Sequence, residues 1–348
     1  MINMINLVFI FSFFYTVFSQ KSLRGSKQDI IKEEDIHWKE FTIFQQRFSK
    51  KYTSLKELED RFTIFKNNFI DIINHNSNVN QNYTLGINQF TDLTQDEFKS
   101  FYLSGFNNNK LESFGCKSFS YHSDNLADSF DWRLEGVVNP VRDQGQCGSC
   151  WAFATTANAE SVWALSSGEL LDLSEEYLVD CASGKGFFNM GCNGGNPDSA
   201  FKYMIQTGQC TELSYPYKAG LTKNAGTCQV CSPAPVQFSS CSDVKPNDQL
   251  ALKNAVSQQP VVVAIEADTR IFQSYSSGVI DSVSCGTNLD HAVEIVGYGE
   301  ENGKKYWTVR NSWSTSWGLG GYVLIERSDS ANDVGICGIA AQPSFLSA

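Results

Sequence analysis

The residue of this chain best placed to do chemistry is Cys150. It follows a turn rich in Gly and Gln and opens an Ala-rich segment that predicts a helix ending near Gly168. A thiol at a helix N-terminus is expected to have a lowered pKa, because free backbone N–H groups and the helix dipole stabilise the thiolate. Thiolates attack carbonyl carbon atoms, so Cys150 is the candidate nucleophile.

A nucleophilic thiol that cleaves an amide also needs a proton donor for the leaving amine, normally an imidazole. The chain contains a single histidine after residue 126, so this role falls to His291. The imidazole needs a third group to hold its orientation, and Asn311 follows twenty residues later, at the end of a predicted strand. Gln144, six residues before Cys150, is a candidate oxyanion-hole donor together with the Cys150 backbone N–H.

These side chains stand in the order and spacing of a known family. The carrying motifs are QGQCGSCWAF (144–153), LDHAV (289–293) and NSW (311–313). Through them the chain resembles the papain-like cysteine proteases, most closely the cathepsin L type. The resemblance implies that Cys150 is the nucleophile, His291 the acid/base, Asn311 its orienting partner and Gln144 the oxyanion donor.

The resemblance extends to residues around the catalytic set. It implies that Trp313 and Trp317 shield the Asn–His hydrogen bond from water. Ser314 and Ser316 stand where the family usually has glycine, and Ala154 stands where Ser is common. None of these differences touches the four catalytic groups.

A second set of motifs precedes the catalytic region. One interrupted pattern reads Glu57, Arg61, Phe65, Asn68, Ile72 and Asn76, and another reads Gly86, Asn88, Phe90 and Asp92. Both resemble the inhibitory propeptide of the cathepsin L type. The protein is therefore expected to be a zymogen inhibited by its own propeptide, with the maturation cut near Leu126.

Family resemblance also implies the substrate-binding residues. Gly194 and Gly195 of GCNGG (191–195) are expected to pair with substrate through their backbone. The pocket for the second residue before the scissile bond is expected to comprise Asn196, Pro197, Ala264, Leu289 and Gln342, and Asp290 and Trp313 complete the set. Such a pocket is apolar and favours a bulky hydrophobic residue, while Gln342 at its base would tolerate a polar or basic one.

The eleven cysteines fit an oxidising compartment, and their odd number requires at least one unpaired thiol. By resemblance the disulfides are Cys147–Cys192, Cys181–Cys228 and Cys285–Cys337. Cys116, Cys210, Cys231 and Cys241 remain beside Cys150. We expect Cys231 to pair with Cys241, and at least one extra thiol to stay unpaired once Cys116 is lost with the propeptide.

The N-terminus predicts entry into the secretory pathway. Residues 1–19 predict a signal peptide, since the apolar stretch 7–18 is too short to span a bilayer comfortably and small residues precede Gln20. No other run is apolar enough to cross a membrane, so no membrane anchor is expected in the mature form. Asn82 begins a glycosylation sequon. A lysosome, a digestive vacuole and the external medium are all compatible destinations.

Composition supports a folded protein of more than one part. The 348 residues are 42% hydrophobic and carry a net charge of −11, which argues against binding to nucleic acid or anionic membranes. Helical patterns precede strand patterns after residue 126, and Asn302-Gly303 predicts a hairpin. The resemblance implies an α+β, two-domain papain-like fold. Its parts are a mainly helical propeptide (20–125), a helical subdomain with Cys150 (126–235) and a β-barrel-like subdomain with His291 and Asn311 (236–348).

The resemblance implies a monomeric endopeptidase that acts on polypeptides, binds cystatin-like inhibitors and needs no metal or organic cofactor. No insertion resembles the occluding loop of the family's carboxydipeptidases. One alternative is a zinc or redox module built on two CxxC pairs, but 77 residues lie between Cys150 and Cys228, against about 15–20 in zinc ribbons. Another is an inactive homologue that acts as a binding protein, although such relatives usually lose the nucleophile.

Overall fold

The computed structural model describes residues 27–103, 115–120, 123, 125–184 and 186–348. The predicted signal peptide (1–19) lies outside the described residues, and so do residues 104–114, 121–122 and 124 before the predicted maturation site. Contacts divide the chain into two compact units, Met1–Tyr52 and Thr53–Ala348. Within the described residues, no helix combines the length and the apolar character that crossing a membrane requires.

The elements are numbered in chain order. The α-helices are α1 (Lys27–Arg47), α2 (Leu55–Asn76), α3 (Gln95–Tyr102), α4 (Cys150–Ser167), α5 (Glu175–Cys181), α6 (Pro197–Thr207), α7 (Ala219–Thr222), α8 (Gln249–Val256) and α9 (Arg270–Gln273). The strands are β1 (Tyr83–Leu85), β2 (Lys117–Ser118), β3 (Phe130–Asp131), β4 (Ser183–Gly184), β5 (Phe187–Phe188), β6 (Ser240–Asp243), β7 (Val261–Ile265), β8 (Tyr275–Ile280), β9 (His291–Glu301), β10 (Lys304–Arg310), β11 (Tyr322–Glu326) and β12 (Ser344–Ser347).

The first unit contains the predicted aromatic helix α1. Phe44 lies 6.0 Å from Phe41 and 5.4 Å from Phe48 between ring centroids, and the Tyr52 ring stacks on Phe41 at 5.9 Å. Phe41 and Phe44, three residues apart in α1, share one helix face, so their contact follows from helical periodicity, whereas Phe48 and Tyr52 follow the end of the helix and pack back onto it.

A ten-stranded sheet organises the second unit. The strand order is β1-β8-β11-β10-β9-β7-β12-β6-β2, and β3 also pairs with β9. The predicted hairpin joins β9 to β10 through Asn302 and Gly303, which have φ values of 52° and 78°. A two-residue hairpin turn whose twist matches that of the strands requires positive φ at both central residues, and both values are positive here.

Helix α4 packs with its sequence almost entirely buried, which explains its lack of a polar face. It ends at Gly168 with φ 79°, as predicted. Asn158 in its middle donates to the Pro260 carbonyl at 2.8 Å and accepts from the Leu346 N–H at 2.9 Å. This one buried side chain therefore ties the helix to the residue that precedes β7 and to strand β12.

The helical subdomain predicted over residues 126–235 does not include all of that range. Its first residues, around 130–132, pack with the β-rich part predicted over residues 236–348. Strand β3 pairs with β9, and the indole of Trp132 donates to the Val256 carbonyl at 2.8 Å. This segment thus joins the β-rich part, although it precedes the helical part in sequence. Backbone pairing of β3 with β9, rather than order along the chain, determines this placement.

The propeptide motif residues fold α2 onto the segment that follows it. Arg61 donates to both Glu97 carboxylate oxygens, at 2.7 and 2.8 Å, and to the Asp92 carbonyl at 3.0 Å. Asn76 exchanges two hydrogen bonds with the Leu85 backbone, at 2.8 and 2.9 Å. Asn68 donates to two further carbonyls in residues 91–93. The motif spacing thus aligns polar side chains on one face of α2 to satisfy an irregular backbone.

Strand β1 of the propeptide pairs antiparallel with β8 of the catalytic region. Tyr83 lies opposite Gly278, whose φ is 80°. A Cβ on Gly278 would come within 2.2 Å of the Asn82 carbonyl oxygen. Only glycine allows the propeptide backbone this close approach.

Replacing Arg61 with Ala is expected to loosen residues 83–102. The substitution leaves Glu97 and the Asp92 carbonyl without their cationic donor, which costs about 1.5 kcal/mol or more. The equilibrium constant for local opening of this segment should therefore rise roughly tenfold. Amide hydrogen exchange of residues 83–102 in the full chain measures this change. Lys56→Ala, which removes a largely exposed ion pair with Asp60 on the same helix, is the control and should leave exchange unchanged. Equal effects of the two variants would contradict the assignment.

Candidate active site

Cys150 is the first residue of α4 and is 2% exposed. It is the one free cysteine among the described residues. Burial raises the pKa of its thiol to about 11, against the lowering effect of the Ala292 and helix N-terminal N–H groups. The expectation of a lowered pKa is therefore wrong for this form of the chain, because desolvation of the thiolate outweighs the helix terminus.

His291 and Asn311 meet across the β9–β10 hairpin. His291 opens β9, and Asn311 directly follows β10. The His291 Nε2 atom lies 2.8 Å from the Asn311 Oδ1 atom, so this ring nitrogen carries the proton of the hydrogen bond. Burial lowers the pKa of His291 to about 4, and the bond to Asn311 opposes that shift only in part. Burial thus favours the neutral forms of both the imidazole and the Cys150 thiol.

Trp313 covers the His291 ring, and Trp317 packs against Trp313. The Trp313 ring stacks on His291 with centroids 4.6 Å apart and an interplanar angle of 27°. Trp317 packs edge-on against Trp313 at 5.1 Å, and both indoles are fully buried. The bond therefore lies in a water-poor environment, where it is stronger than in solution.

The turn after Trp313 keeps its shape without glycine. Ser314 has φ 65°, a left-handed conformation in which glycine is usual, and its N–H donates to the Arg142 carbonyl at 2.9 Å. Ser316 places its hydroxyl 3.0 Å from the Gln89 side-chain oxygen in the propeptide. Ser314 thus adopts the left-handed conformation itself, and the Ser316 hydroxyl makes a contact for which glycine has no side chain.

Hydrogen bonds to both the oxygen and the nitrogen of the Gln144 side-chain amide fix its orientation. Its Oε1 accepts from the Ser312 hydroxyl at 2.7 Å, and its Nε2 donates to the Cys147 carbonyl at 3.0 Å. The same Nε2 also donates to the backbone carbonyl of Tyr102 at 3.0 Å. A propeptide carbonyl therefore occupies the donor that the sequence assigns to the oxyanion hole.

The propeptide also contacts the tryptophan that covers His291. The rings of Phe90 and Phe98 meet Trp313 edge-on, at 5.5 and 5.2 Å. The Gln89 side chain donates to the Trp313 carbonyl at 2.7 Å. Sequence reasoning missed Gln89 and Tyr102, because each acts through a contact between residues distant in sequence. Ser312 stands in the NSW motif, but its hydrogen bond to Gln144, 168 positions away, was not predicted.

Two glycines predicted to bind substrate are sterically constrained. A Cβ on Gly195 would lie 2.6 Å from the Trp151 ring, and Gly194 has φ 105°.

The Asn196 side chain accepts from the N–H groups of the first turn of α6, and Pro197 begins that helix. Asn196 is thus a helix cap, which places its side-chain oxygen in a structural role.

The remaining predicted pocket residues lie on the β-rich side. Ala264 and Leu289 pack together with Ala341, next to Gln342. The cluster formed by these described residues does not include Asn196 or Pro197, so the complete pocket stays a prediction. Asp290 accepts from the Ala267 N–H at 2.8 Å, and burial raises its pKa to about 7.

All three disulfides implied by the resemblance are present: Cys147–Cys192, Cys181–Cys228 and Cys285–Cys337. The expected Cys231–Cys241 pair is wrong. Cys231 pairs with Cys210 and Cys241 with Cys116, since a backbone bridge at Cys210 holds the chain near residue 233 and β2 lies beside β6. No extra thiol is left unpaired among the described residues.

The predicted glycosylation site is exposed and has a hydrogen-bond partner. Asn82 Nδ2 donates to the Asp281 carboxylate at 2.6 Å. A glycan on this nitrogen would compete with that bond. Glycosylation at Asn82 stays a prediction.

Comparison with known proteins shows a consistent set of matches. Residues 126–346 match the papain family cysteine protease description, and residues 41–98 match the cathepsin propeptide inhibitor domain (I29). The chain is 45% identical to germination-specific cysteine protease 1 of Arabidopsis thaliana, over 84% of this chain and 78% of that protein. It is 46% identical to cysteine proteinase RD21A of the same plant, over 85% of this chain but only 63% of RD21A.

Solved structures agree with these matches. The recombinant stem bromelain precursor is similar with a TM-score of 0.81 and 38% identity, covering 90% of this chain and 99% of that one. Digestive procathepsin L 3 of Tenebrio molitor is similar with a TM-score of 0.80 and 36% identity, covering 90% and 99%. Both are proforms, so the likeness extends over the propeptide.

Alkylation of Cys150 is expected to report the neutral state of the thiol. In the full chain, iodoacetamide should react slowly at pH 6–8, because the buried thiol has its pKa raised to about 11. Removal of residues 1–125 should increase the rate about tenfold or more at pH 6. Mass spectrometry of Cys150 measures both rates. A full chain that reacts as fast as the shortened one would contradict the assignment.

Proposed function

Since the chain belongs to the papain family of cysteine proteases and carries its propeptide inhibitor domain, we propose that it is a cysteine endopeptidase made as a zymogen. Cys150, His291, Asn311 and Gln144 form its catalytic centre. The reaction is hydrolysis of a peptide bond through a thioester acyl-enzyme.

The observation that carries this proposal is the Tyr102 carbonyl on the Gln144 amide. A substrate carbonyl must reach this donor when Cys150 attacks its carbon, because the oxygen becomes negatively charged in the tetrahedral intermediate. A peptide carbonyl already lies there, in a segment of the inhibitory propeptide. Its position supports both the catalytic role of Gln144 and the mode of inhibition.

His291 is suited to move the proton. Its Nε2 is bonded to Asn311, and its Nδ1 makes no hydrogen bond in the described structure. Nδ1 is therefore left to accept the Cys150 proton and to return it to the leaving amine. The amine then departs, leaving an acyl group on Cys150. Water, deprotonated by His291, hydrolyses the thioester and regenerates the thiol.

Burial in the zymogen opposes the ionic form of this pair. The raised thiol pKa and the lowered imidazole pKa both favour the neutral groups. Departure of the propeptide would admit water and allow Cys150 to transfer its proton to His291. Activation is thus a change in solvation as well as the opening of a site.

Acid is expected to favour activation, as suits an acidic compartment of the secretory pathway. Burial alone would raise the pKa of Glu97, but its hydrogen bonds from Arg61 and the Thr94 backbone outweigh burial and lower the pKa below the ordinary 4.5. The stability that this pair contributes is present above about pH 4.5 and is lost as pH falls through the lower folded-state pKa. Protein breakdown in a lysosome or digestive vacuole is the role we propose.

Substrate preference is proposed from the apolar cluster of Ala264, Leu289 and Ala341. A bulky hydrophobic residue second before the scissile bond would bury apolar area against it. Gln342, which follows Ala341, would tolerate a polar or basic residue. Binding of cystatin-like inhibitors and a monomeric state remain predictions from the resemblance.

The proposal is tested by comparing the purified chain with Cys150→Ala, from pH 4 to pH 7 in reductant. We expect the unsubstituted chain alone to lose its propeptide, faster at the acidic end, and to cleave fluorogenic dipeptides with Phe or Leu second before the cut better than the Arg analogue. The measurements are the release of fluorophore and the chain mass. Lack of hydrolysis after another protease has removed the propeptide would contradict the proposal and favour a binding protein.

A further inference from the structure

A disulfide bond crosses the proposed maturation site. Cys116 lies before residue 126, where the catalytic domain begins, and Cys241 lies within that domain. Their Cα atoms are 4.7 Å apart, and 125 positions separate the two cysteines in sequence. Hydrolysis of a backbone bond between residues 116 and 126 therefore breaks the chain without separating the two products.

The segment around Cys116 is also built into the sheet of the catalytic domain. Lys117 and Ser118 of β2 pair in parallel with Ser242 and Asp243 of β6. Strand β2 is the last in the sheet order, so it covers an edge of β6 that would otherwise expose unpaired backbone groups. This pairing holds Cys116, which directly precedes β2, beside Cys241 of β6, at a separation that a disulfide requires.

Side chains and loop contacts extend this attachment. The Phe119 N–H donates to the Asp243 carbonyl at 2.9 Å, and the Phe119 ring meets Phe345 edge-on at 5.3 Å. Further along, the Ser123 N–H donates to the Asn254 side-chain oxygen at 2.7 Å. The segment thus touches β6, β12 and α8, all in the catalytic domain.

We propose that Cys116–Cys241 keeps the propeptide covalently attached after a single maturation cut, so that full activation needs a second event. The inference rests on the proposed zymogen function. A tethered inhibitor has an effective concentration on the order of millimolar, which favours its rebinding over dissociation. The Tyr102 carbonyl would return to Gln144 repeatedly, whereas a free propeptide would diffuse away.

Two events would release the inhibitor. A second cut before Cys116 would free α2, β1 and α3 and leave a short second chain, containing β2, on the mature enzyme. Alternatively, a dithiol would reduce the disulfide: two electrons and two protons convert it to two thiols while the dithiol becomes a disulfide. The first route predicts a two-chain mature enzyme, and the second predicts activation by reductants.

The test uses the full chain with Cys150→Ala and a recognition sequence for a site-specific protease inserted between Asn125 and Leu126. Because an added protease makes the cut, the outcome does not depend on the chain's own activity. After cleavage, mass spectrometry and size exclusion at pH 5 are performed with and without reductant. We expect one species with the mass of both fragments without reductant, and two separate fragments with it.

Two matched variants assign the linkage. Cys116→Ser/Cys241→Ser should give two fragments by denaturing mass spectrometry under both conditions. Cys210→Ser/Cys231→Ser removes a disulfide within the catalytic domain and should behave like the parent. Two fragments in the absence of reductant from the Cys150→Ala chain that keeps Cys116 and Cys241 would overturn the proposal. Failure of the proposed function would appear separately, as an inert unsubstituted enzyme.

Discussion

The orientation of one side-chain amide underlies the geometry of the whole site. The Ser312 hydroxyl holds the Gln144 oxygen, which turns the amide nitrogen toward the Tyr102 carbonyl. Ser312 directly follows Asn311, so the same turn that orients the histidine also orients the oxyanion donor. The backbone reinforces this link, because the Gln144 N–H donates to the Ser312 carbonyl at 2.9 Å. One turn thereby couples the two ends of the proposed catalytic centre.

Burial accounts for the inactivity that we propose for this centre in the proform. Three parts of the proposed centre are already in place: the imidazole is bonded to Asn311, Trp313 stacks on the imidazole, and the thiol lies at a helix N-terminus. The charged forms are disfavoured because water is excluded, and the oxyanion donor has a carbonyl partner. Under the proposed function, the propeptide inhibits by occupying the oxyanion donor of a site whose His–Asn pair is already formed.

Sequence reasoning succeeded where chemistry is local or a motif has fixed spacing. The helix ending at Gly168, the Asn302-Gly303 hairpin and the pairing of His291 with Asn311 were predictable in this way. It failed for the Cys150 pKa, because a helix terminus is visible in sequence whereas burial by distant segments is not. It failed for Cys241 because the parallel pairing of β2 with β6 joins residues more than a hundred positions apart. The contacts of Tyr102 and Gln89 escaped prediction for the same reason.

The most direct test of the account is the kinetic effect of Gln144→Ala on the enzyme freed of its propeptide. We predict a fall in kcat of about a hundredfold with little change in KM, because the donor acts on the charge that develops during attack. Gln146→Ala, in the same turn, is the control and should keep kcat within about twofold of the unsubstituted enzyme. Equal kcat values for the two variants would contradict the assignment of Gln144 and, with it, the proposed basis of propeptide inhibition.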